Sequence, residues 1–183
     1  MPINYLESIK KHFNQYKSLG DKTIEQLDEE NLFWQYNEQS NSIAIIVQHL
    51  WGNMLSRWTN FLTEDGEKEW RERDTEFEKV IKTKEELILK WDAGWDCLFD
   101  ALNSLTREDL DKTIYIRKEP LNVADAINRQ LAHYSYHVGQ IVYLGKMQLN
   151  DRWISLSIPK GNSQEFNDRM KADFSEKNNK QDL

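Results

Sequence analysis

The chain has 183 residues, which is enough for one domain that buries a substantial core. Its formal net charge is −7, and its 24 lysines and arginines are interleaved with 31 acidic residues. The sequence therefore has no basic stripe that would bind nucleic acid or an anionic membrane surface. The sequence has neither the pattern of a signal peptide nor an apolar run of about 20 residues, so we expect a cytoplasmic protein.

Helical periodicity predicts two long helices in the first half of the chain. The first is expected at residues 4–19, where apolar side chains recur at helical spacing, and Gly20 is placed to end it. The second is expected to begin at a cap formed by Asn41 or Ser42 and to run through residues 43–62.

A charged connection separates the second helix from the third. Residues 63–78 carry many charges around one glycine and are expected to be solvated, with Trp70 and Phe77 holding the segment in place. The third helix is expected to begin at Thr83, where the sequence Thr-Lys-Glu-Glu fits a capping box, and to end near Leu105.

The last third of the chain contains a strand-like segment followed by the fourth long helix. Residues 113–122 alternate apolar and polar side chains, and residues 123–147 show helical periodicity. We predict an all-α four-helix bundle with short extra turns and at most a small strand-like segment. Residues 1–170 are expected to form its single domain, and residues 171–183 a polar, disordered tail.

Two histidines lie four residues apart in the fourth predicted helix, in the apolar and aromatic stretch AHYSYHVGQIVYL. His133 and His137 share one helix face, so both imidazoles can reach one metal ion at about 2.0–2.1 Å. The residues between them supply no glutamate of the zinc-protease type. The pair alone is therefore a weak signal, and by itself it favours hydrogen-bonded core histidines.

His49 strengthens the case for a metal because it lies in an apolar stretch of the second predicted helix. Three buried histidines need three sets of hydrogen-bond partners or one shared partner, and a divalent cation is such a partner. From the residues alone, a metal site and a set of core histidines are balanced alternatives. The fourth histidine, His12, lies off the apolar stripe of the first helix and is interpreted as a surface residue.

The segment HLWGN in the second helix, followed by HYSYHVGQI in the fourth, resembles the DinB-like (DinB/YfiT) superfamily of small four-helix-bundle proteins. The charged connection and the segment WISLSIPKGNSQEFN resemble a bacterial branch of that superfamily without an assigned reaction. The resemblance implies a metal site with His49, His133 and His137 as ligands. It also implies a homodimer, which the high aromatic content favours as well.

Three imidazole ligands would leave an open coordination position, as in catalytic zinc sites. We expect zinc or nickel, with iron or manganese as alternatives. Relatives in the superfamily include transferases that use low-molecular-weight thiols. The resemblance therefore implies an S-transferase that activates a thiol such as bacillithiol for attack on a small-molecule substrate. A hydrolase using metal-bound hydroxide and a non-enzymatic metal-binding stress-response protein remain open alternatives.

Several polar residues lie within two helical turns of the histidines: Asn53, Arg57, Arg129, Gln130 and Gln140. They are candidates for orienting the imidazoles or for binding an anionic substrate, and a structural polar network is an equal alternative. Lys160 and Ser163 in the PKGNS segment are candidates for closing the pocket mouth, although a plain turn is favoured. Four aromatic residues are interpreted as core or dimer-interface residues: Trp51, Trp58, Tyr134 and Tyr136.

Overall fold

Six α-helices make up most of the described chain, which comprises the backbone of residues 4–179 and the side chains of residues 4–172 in this computed structural model. They are α1 (Tyr5–Gln26), α2 (Glu29–Phe33), α3 (Ile43–Trp58), α4 (Lys84–Ser104), α5 (Val123–Leu149) and α6 (Ser163–Asn179). One antiparallel hairpin, formed by β1 (Thr113–Ile116) and β2 (Glu119–Asn122), lies between α4 and α5 in the sequence. The predicted predominance of helix is confirmed, whereas the assignment to a four-helix bundle stays a prediction.

Aromatic side chains from the four longest of the first five helices meet in the core. α1 packs along α5 and α3 packs along α4, and further contacts join α1 to α4 and α3 to α5. Four rings, one from each of these helices, meet with neighbouring centroids 6.0–6.5 Å apart: Phe13, Trp58, Trp95 and Tyr134. Almost every residue of α3 is buried as a result, so a polar side chain in the middle of this helix needs a partner.

Gly20 lies inside α1, and the prediction that it ends the helix is wrong. The helix continues to Gln26 because the glycine makes room for a tryptophan of α4. A Cβ atom at Gly20 would lie 2.3 Å from Trp91 Cζ2. The indole Nε1 of Trp91 donates a hydrogen bond to Asp21 on the same stretch of α1, at 2.7 Å. Close packing of two helices thus explains this glycine.

Two helices begin at the capping residues predicted for them, whereas α3 ends earlier than predicted. Ser42 caps α3, and Thr83 caps α4 by accepting the amide N–H of Glu86 at 3.1 Å. The carboxylate of Glu86 accepts from the amide one residue before the cap, so the predicted capping box is not closed. α3 ends at Trp58, earlier than predicted, because Asn60 adopts a left-handed conformation with φ of 50°.

The charged connection at residues 63–78 differs from the predicted solvated segment. Three of its charged side chains are buried: Lys68, Arg71 and Glu76. Its aromatic residues Trp70 and Phe77 are instead 56% and 47% exposed. The burial of these charged side chains is tolerated because they are paired, Lys68 with Glu64 and Arg71 with Glu76.

The strand-like segment forms two strands rather than one. Arg117 and Lys118 form the turn between them, with φ of 56° and 64°. Such turns usually contain asparagine, aspartate or glycine, since other residues adopt positive φ at a cost. Here the Asp65 carboxylate accepts both backbone N–H groups of the turn at 2.8 Å. The connection after α3 therefore holds the hairpin in place.

The C-terminal part of the described chain is α6, whose backbone extends across residue 170 to Asn179. The expected division into a domain at residues 1–170 and a disordered tail at residues 171–183 stays a prediction, and residues 180–183 lie outside the described part. No helix in the described range 4–179 is long and apolar enough to cross a membrane.

Two helical glycines provide a test of the packing between α1 and α4. Gly20→Ala should lower the free energy of unfolding by about 1–2 kcal/mol, because overpacking against Trp91 outweighs the gain in helix propensity. Gly139→Ala is the matched control, since a Cβ there meets no atom within 4 Å, and it should raise stability by about 0.5–1 kcal/mol. Urea unfolding of the metal-free proteins measures both. Equal stabilisation by both substitutions would contradict the packing described here.

Candidate metal centre

His49, His133 and His137 bring their imidazole rings together between α3 and α5. His133 Nε2 lies 3.2 Å from His49 Nε2 and 3.1 Å from His137 Nε2. Two nitrogen donors that share one tetrahedral zinc ion at about 2.0–2.1 Å lie about 3.3–3.4 Å apart. His133 Nε2 is therefore spaced from each of the other two nitrogens almost as one bound ion would require, and all three lie within 4.8 Å of one another.

Glu76 fixes the orientation of the His49 ring. The Nδ1–H of His49 donates to Glu76 Oε2 at 2.9 Å. Arg71 donates to both oxygens of the same carboxylate, from Nε at 2.6 Å and from Nη2 at 2.9 Å. Burial alone would raise the pKa of Glu76, but the hydrogen bonds from His49 and Arg71 outweigh it and lower the pKa. A carboxylate held in this way behind a histidine is typical of metal-binding imidazoles.

Gly52 provides the space that Glu76 occupies beside α3. A Cβ atom at Gly52 would lie 2.5 Å from Glu76 Oε1, so a larger residue would displace the carboxylate. Gly52 follows His49 by three residues and therefore lies on the same side of α3. The glycine in the segment HLWGN thus supports the histidine in the same segment.

Gln140 fixes the orientation of the His137 ring. The Nδ1–H of His137 donates to Gln140 Oε1 at 2.7 Å, three residues along the same helix. In their neutral forms the rings of His49 and His137 therefore carry their hydrogen on Nδ1 and leave Nε2 unprotonated. Two of the three imidazoles are thereby set in the tautomer that offers Nε2 to a ligand.

The three Nε2 atoms cannot satisfy one another by hydrogen bonding. His133 Nε2 carries at most one hydrogen and can donate it fully to only one of its two neighbours. At least one lone pair, on His49 or His137, is then left without a donor in a largely buried site, which is costly. A divalent cation would satisfy all three lone pairs together. The residues present therefore fit a metal ion.

Electrostatics keep the α5 histidines neutral. Burial, with further contributions from His137 and His49, lowers the pKa of His133 to about 3. Burial also lowers the pKa of His137, and His49 acts in the same direction against the hydrogen bond to Gln140. Neutral imidazole is the form that coordinates metals, so both rings are in the binding state near neutral pH.

No fourth protein ligand completes the cluster within the described side chains. The group of converging donors contains the three histidines and no cysteine, aspartate or glutamate. Cys97 lies elsewhere, half-buried, and burial raises the pKa of its thiol. The ligand set therefore leaves at least one position of a four-coordinate ion open to a molecule from solution.

The family model of DUF1572, described as a protein of unknown function, matches residues 1–162. The chain belongs to DUF1572. The matched range contains the three histidines and Glu76, and it ends directly before α6. Comparison with curated proteins finds no match. The family assignment names no reaction for this DUF1572 protein.

A pocket of about 230 Å³ opens beside the histidine cluster of the DUF1572 chain, and His49 and His133 form part of its wall. Asn53 also lines it. Asn53 Oδ1 accepts a hydrogen bond from the buried Tyr134 hydroxyl at 3.0 Å, and that hydroxyl accepts one from Trp58 Nε1 at 3.0 Å. These hydrogen bonds connect Asn53 in the pocket wall to the aromatic core.

The structure separates the five predicted neighbours of the histidines into two groups. Gln140 is the one that contacts an imidazole within the described part of the chain. The other four line the pocket: Asn53, Arg57, Arg129 and Gln130. Arg57 is held by the carbonyl oxygen of Gly66 and by Glu67 Oε2, the latter at 3.1 Å. These four residues therefore line a pocket, and within the described part of the chain none of them forms a hydrogen bond to an imidazole.

The predicted aromatic and turn residues have different locations. Trp58 and Tyr134 are core residues, as interpreted from the sequence, whereas Tyr136 is exposed and its ring lies 5.0 Å from that of His137. Trp51 is half-buried beneath the ammonium group of Lys90. In the PKGNS turn Gly161 has φ of 91°, and this turn contributes no lining residue to the pocket beside the histidines.

Sequence reasoning missed two charged residues of the centre, Arg71 and Glu76, and predicted for Phe77 only that it holds the connection in place. Phe77 stacks on the His49 ring, with centroids 5.2 Å apart. These residues lie in the charged connection, which has no periodicity that predicts burial. The one available signal was Gly52, because a glycine inside an apolar helix indicates that another group approaches closely.

Glu76→Gln tests whether the carboxylate supports metal binding. The substitution should weaken metal affinity about 10–100-fold, because His49 loses a charged acceptor and Arg71 loses its ion pair. Competition titration with a chromogenic chelator measures the dissociation constant, and circular dichroism verifies folding. Glu78→Gln, two residues along and exposed, is the matched control and should change affinity less than twofold. Equal affinity in both folded variants would contradict the role of Glu76.

Proposed function

We propose that this protein binds one divalent metal ion through Nε2 of His49, His133 and His137, within a four-helix bundle of the DinB-like superfamily. The observation that carries the proposal is the convergence of three Nε2 atoms, with that of His133 3.1–3.2 Å from the other two, and with too few protons to bond one another. The orientation of His49 by Glu76 and of His137 by Gln140 supports the same conclusion.

Elemental analysis tests the metal proposal. Protein purified without a nickel column should contain close to one equivalent of divalent metal, and His49→Ala should lose most of it, because two donors on α5 alone bind weakly. His12→Ala is the matched control, since His12 is exposed on α1 and outside the cluster, and it should keep the full content. Metal content below a tenth of an equivalent in the wild type, even after incubation with zinc, would contradict the proposal.

We further infer that the reaction is the transfer of a low-molecular-weight thiol of the bacillithiol type to a small electrophile. When bound, a divalent cation would lower the pKa of a coordinated thiol and stabilise its ionised form. The protein leaves the charge of that cation uncompensated, because imidazole ligands coordinate a metal as neutral groups and Glu76 is paired with Arg71. The centre is therefore electrostatically suited to an anionic sulfur ligand.

The surrounding residues favour thiol transfer over hydrolysis. Hydrolysis is assisted by a group that takes a proton from water, and Glu76, the carboxylate bonded to His49, is also bonded to Arg71 and has a lowered pKa. Thiol transfer needs no such base once the thiol proton has been released to solvent. The sulfur then forms a bond to the electrophilic carbon as the leaving group departs with its electron pair.

A fluorescent assay tests the reaction. Zinc-loaded wild type should accelerate the reaction of bacillithiol with monochlorobimane, giving the thioether and chloride, and His12→Ala should retain the rate. Removal of the metal, or His49→Ala, should lower the catalysed rate at least 100-fold. Metal-dependent hydrolysis of an activated ester, with no acceleration of thioether formation, would contradict thiol transfer and favour a hydrolase.

A further inference from the structure

The pocket beside the histidine cluster is strongly basic, although the whole chain carries a net charge of −7. Four arginines line it, and they come from four separate segments. Arg57 lies in α3, Arg73 directly before the 3-10 turn at Asp74–Phe77, Arg117 in the hairpin turn and Arg129 in α5. Residues this distant in the sequence come together only in the folded chain, so the tertiary structure brings the four arginines to the pocket.

The positive charge of the pocket exceeds the negative charge around it. Glu67 Oε2 accepts from Arg57 Nη2 at 3.1 Å and from Arg117 Nε at 3.2 Å, so one carboxylate serves two guanidinium groups. Arg73 and Arg129 have no carboxylate within 4.0 Å among the side chains of residues 4–172. Among the side chains of residues 4–172, the four guanidinium groups thus share one bonded carboxylate, which leaves an excess of positive charge.

Two buried polar groups of the pocket lack partners. Arg57 is only 5% exposed, and its Nε–H has no hydrogen-bond acceptor in the described chain. Gln130 is 3% exposed, and its Oε1 has no donor there. Burial, and after it the charge of Arg71, lowers the pKa of Arg57. An unpartnered donor and acceptor are costly in a protein interior, and a bound ligand would supply the missing partners.

Guanidinium groups bind carboxylates and phosphates through paired hydrogen bonds. We propose that the arginine-lined pocket binds an oxyanion group, carboxylate or phosphate, of the small molecule that reacts at the adjacent histidine centre. A hydroxyl or amide N–H of the same molecule donates to Gln130. The role of this anion in the reaction rests on the proposed function, whereas oxyanion binding itself requires only the pocket.

Arg73 and Arg129 give the sharpest test, because both are exposed and neither is needed to pair a buried carboxylate. Isothermal titration at low ionic strength, with succinate and with inorganic phosphate as probes, measures anion affinity of the full chain. Arg73→Gln and Arg129→Gln should each weaken binding about tenfold, and the double variant should abolish it. Arg152→Gln is the control with the same charge change, at the opposite end of α5, and should stay within twofold.

The two probes distinguish the sources of the oxyanion. Tighter binding of succinate supports a carboxylate-bearing substrate, and tighter binding of phosphate supports a phosphorylated one. Absence of saturable binding of either anion to the wild type overturns the proposal. Equal binding by the wild type and by the double variant also overturns it, because the anion then binds outside the arginine pocket.

His137→Ala separates this proposal from the metal proposal. His137 does not line the pocket, so its removal deletes a metal donor and leaves all four arginines in place. Anion binding should persist in this variant and in metal-free wild type, whether or not the centre is found to bind metal. Loss of anion binding in folded His137→Ala would show that the anion is held by the metal alone and would overturn the pocket assignment.

Discussion

The buried ion pair between Arg71 and Glu76 is the contact on which the candidate site depends. A buried ionised carboxylate is tolerated only when it is paired and hydrogen-bonded, and here both oxygens are used, by Arg71 and by His49. The hydrogen bond from His49 to Glu76 then holds the charged connection against α3, with Phe77 stacked on the His49 ring and Arg73 at the pocket. The carboxylate of Glu76 therefore connects the charged segment to the histidine centre, and Gly52 provides the space for it.

Much of the helical structure could be predicted from the sequence because it follows local rules. Apolar periodicity located the long helices, and Ser42 and Thr83 marked the starts of two of them. The errors occur where a distant contact overrides a local preference. Gly20 has the appearance of a helix end, and only Trp91 from another helix explains why α1 continues. The hairpin turn at Arg117 lacks turn residues of its own and depends on a distant aspartate.

The candidate site was predictable to the extent that its residues lie on periodic helices. The three histidines could be found because each interrupts an apolar helix face, and Gln140 because it follows His137 by one turn. Glu76 could not be found in this way, since a charged segment without periodicity is ordinarily solvated. Its burial depends on pairing with Arg71, a contact that no spacing rule predicts. The resemblance to a superfamily predicted the three histidines as ligands but did not predict this carboxylate.

Ligand binding at the arginine pocket and metal binding at the histidine centre are coupled through charge. A divalent ion at the histidines and the guanidinium groups of Arg73 and Arg129, which have no carboxylate partner in the described chain, repel one another, so the pocket without an anion disfavours metal binding. An anionic molecule bound across both would cancel charge at each of them. Binding of the metal and of the anion should then strengthen one another by the same factor, as linkage requires, and salt should screen this coupling. A neutral substrate would leave the repulsion in place, so the local charge favours an anionic one.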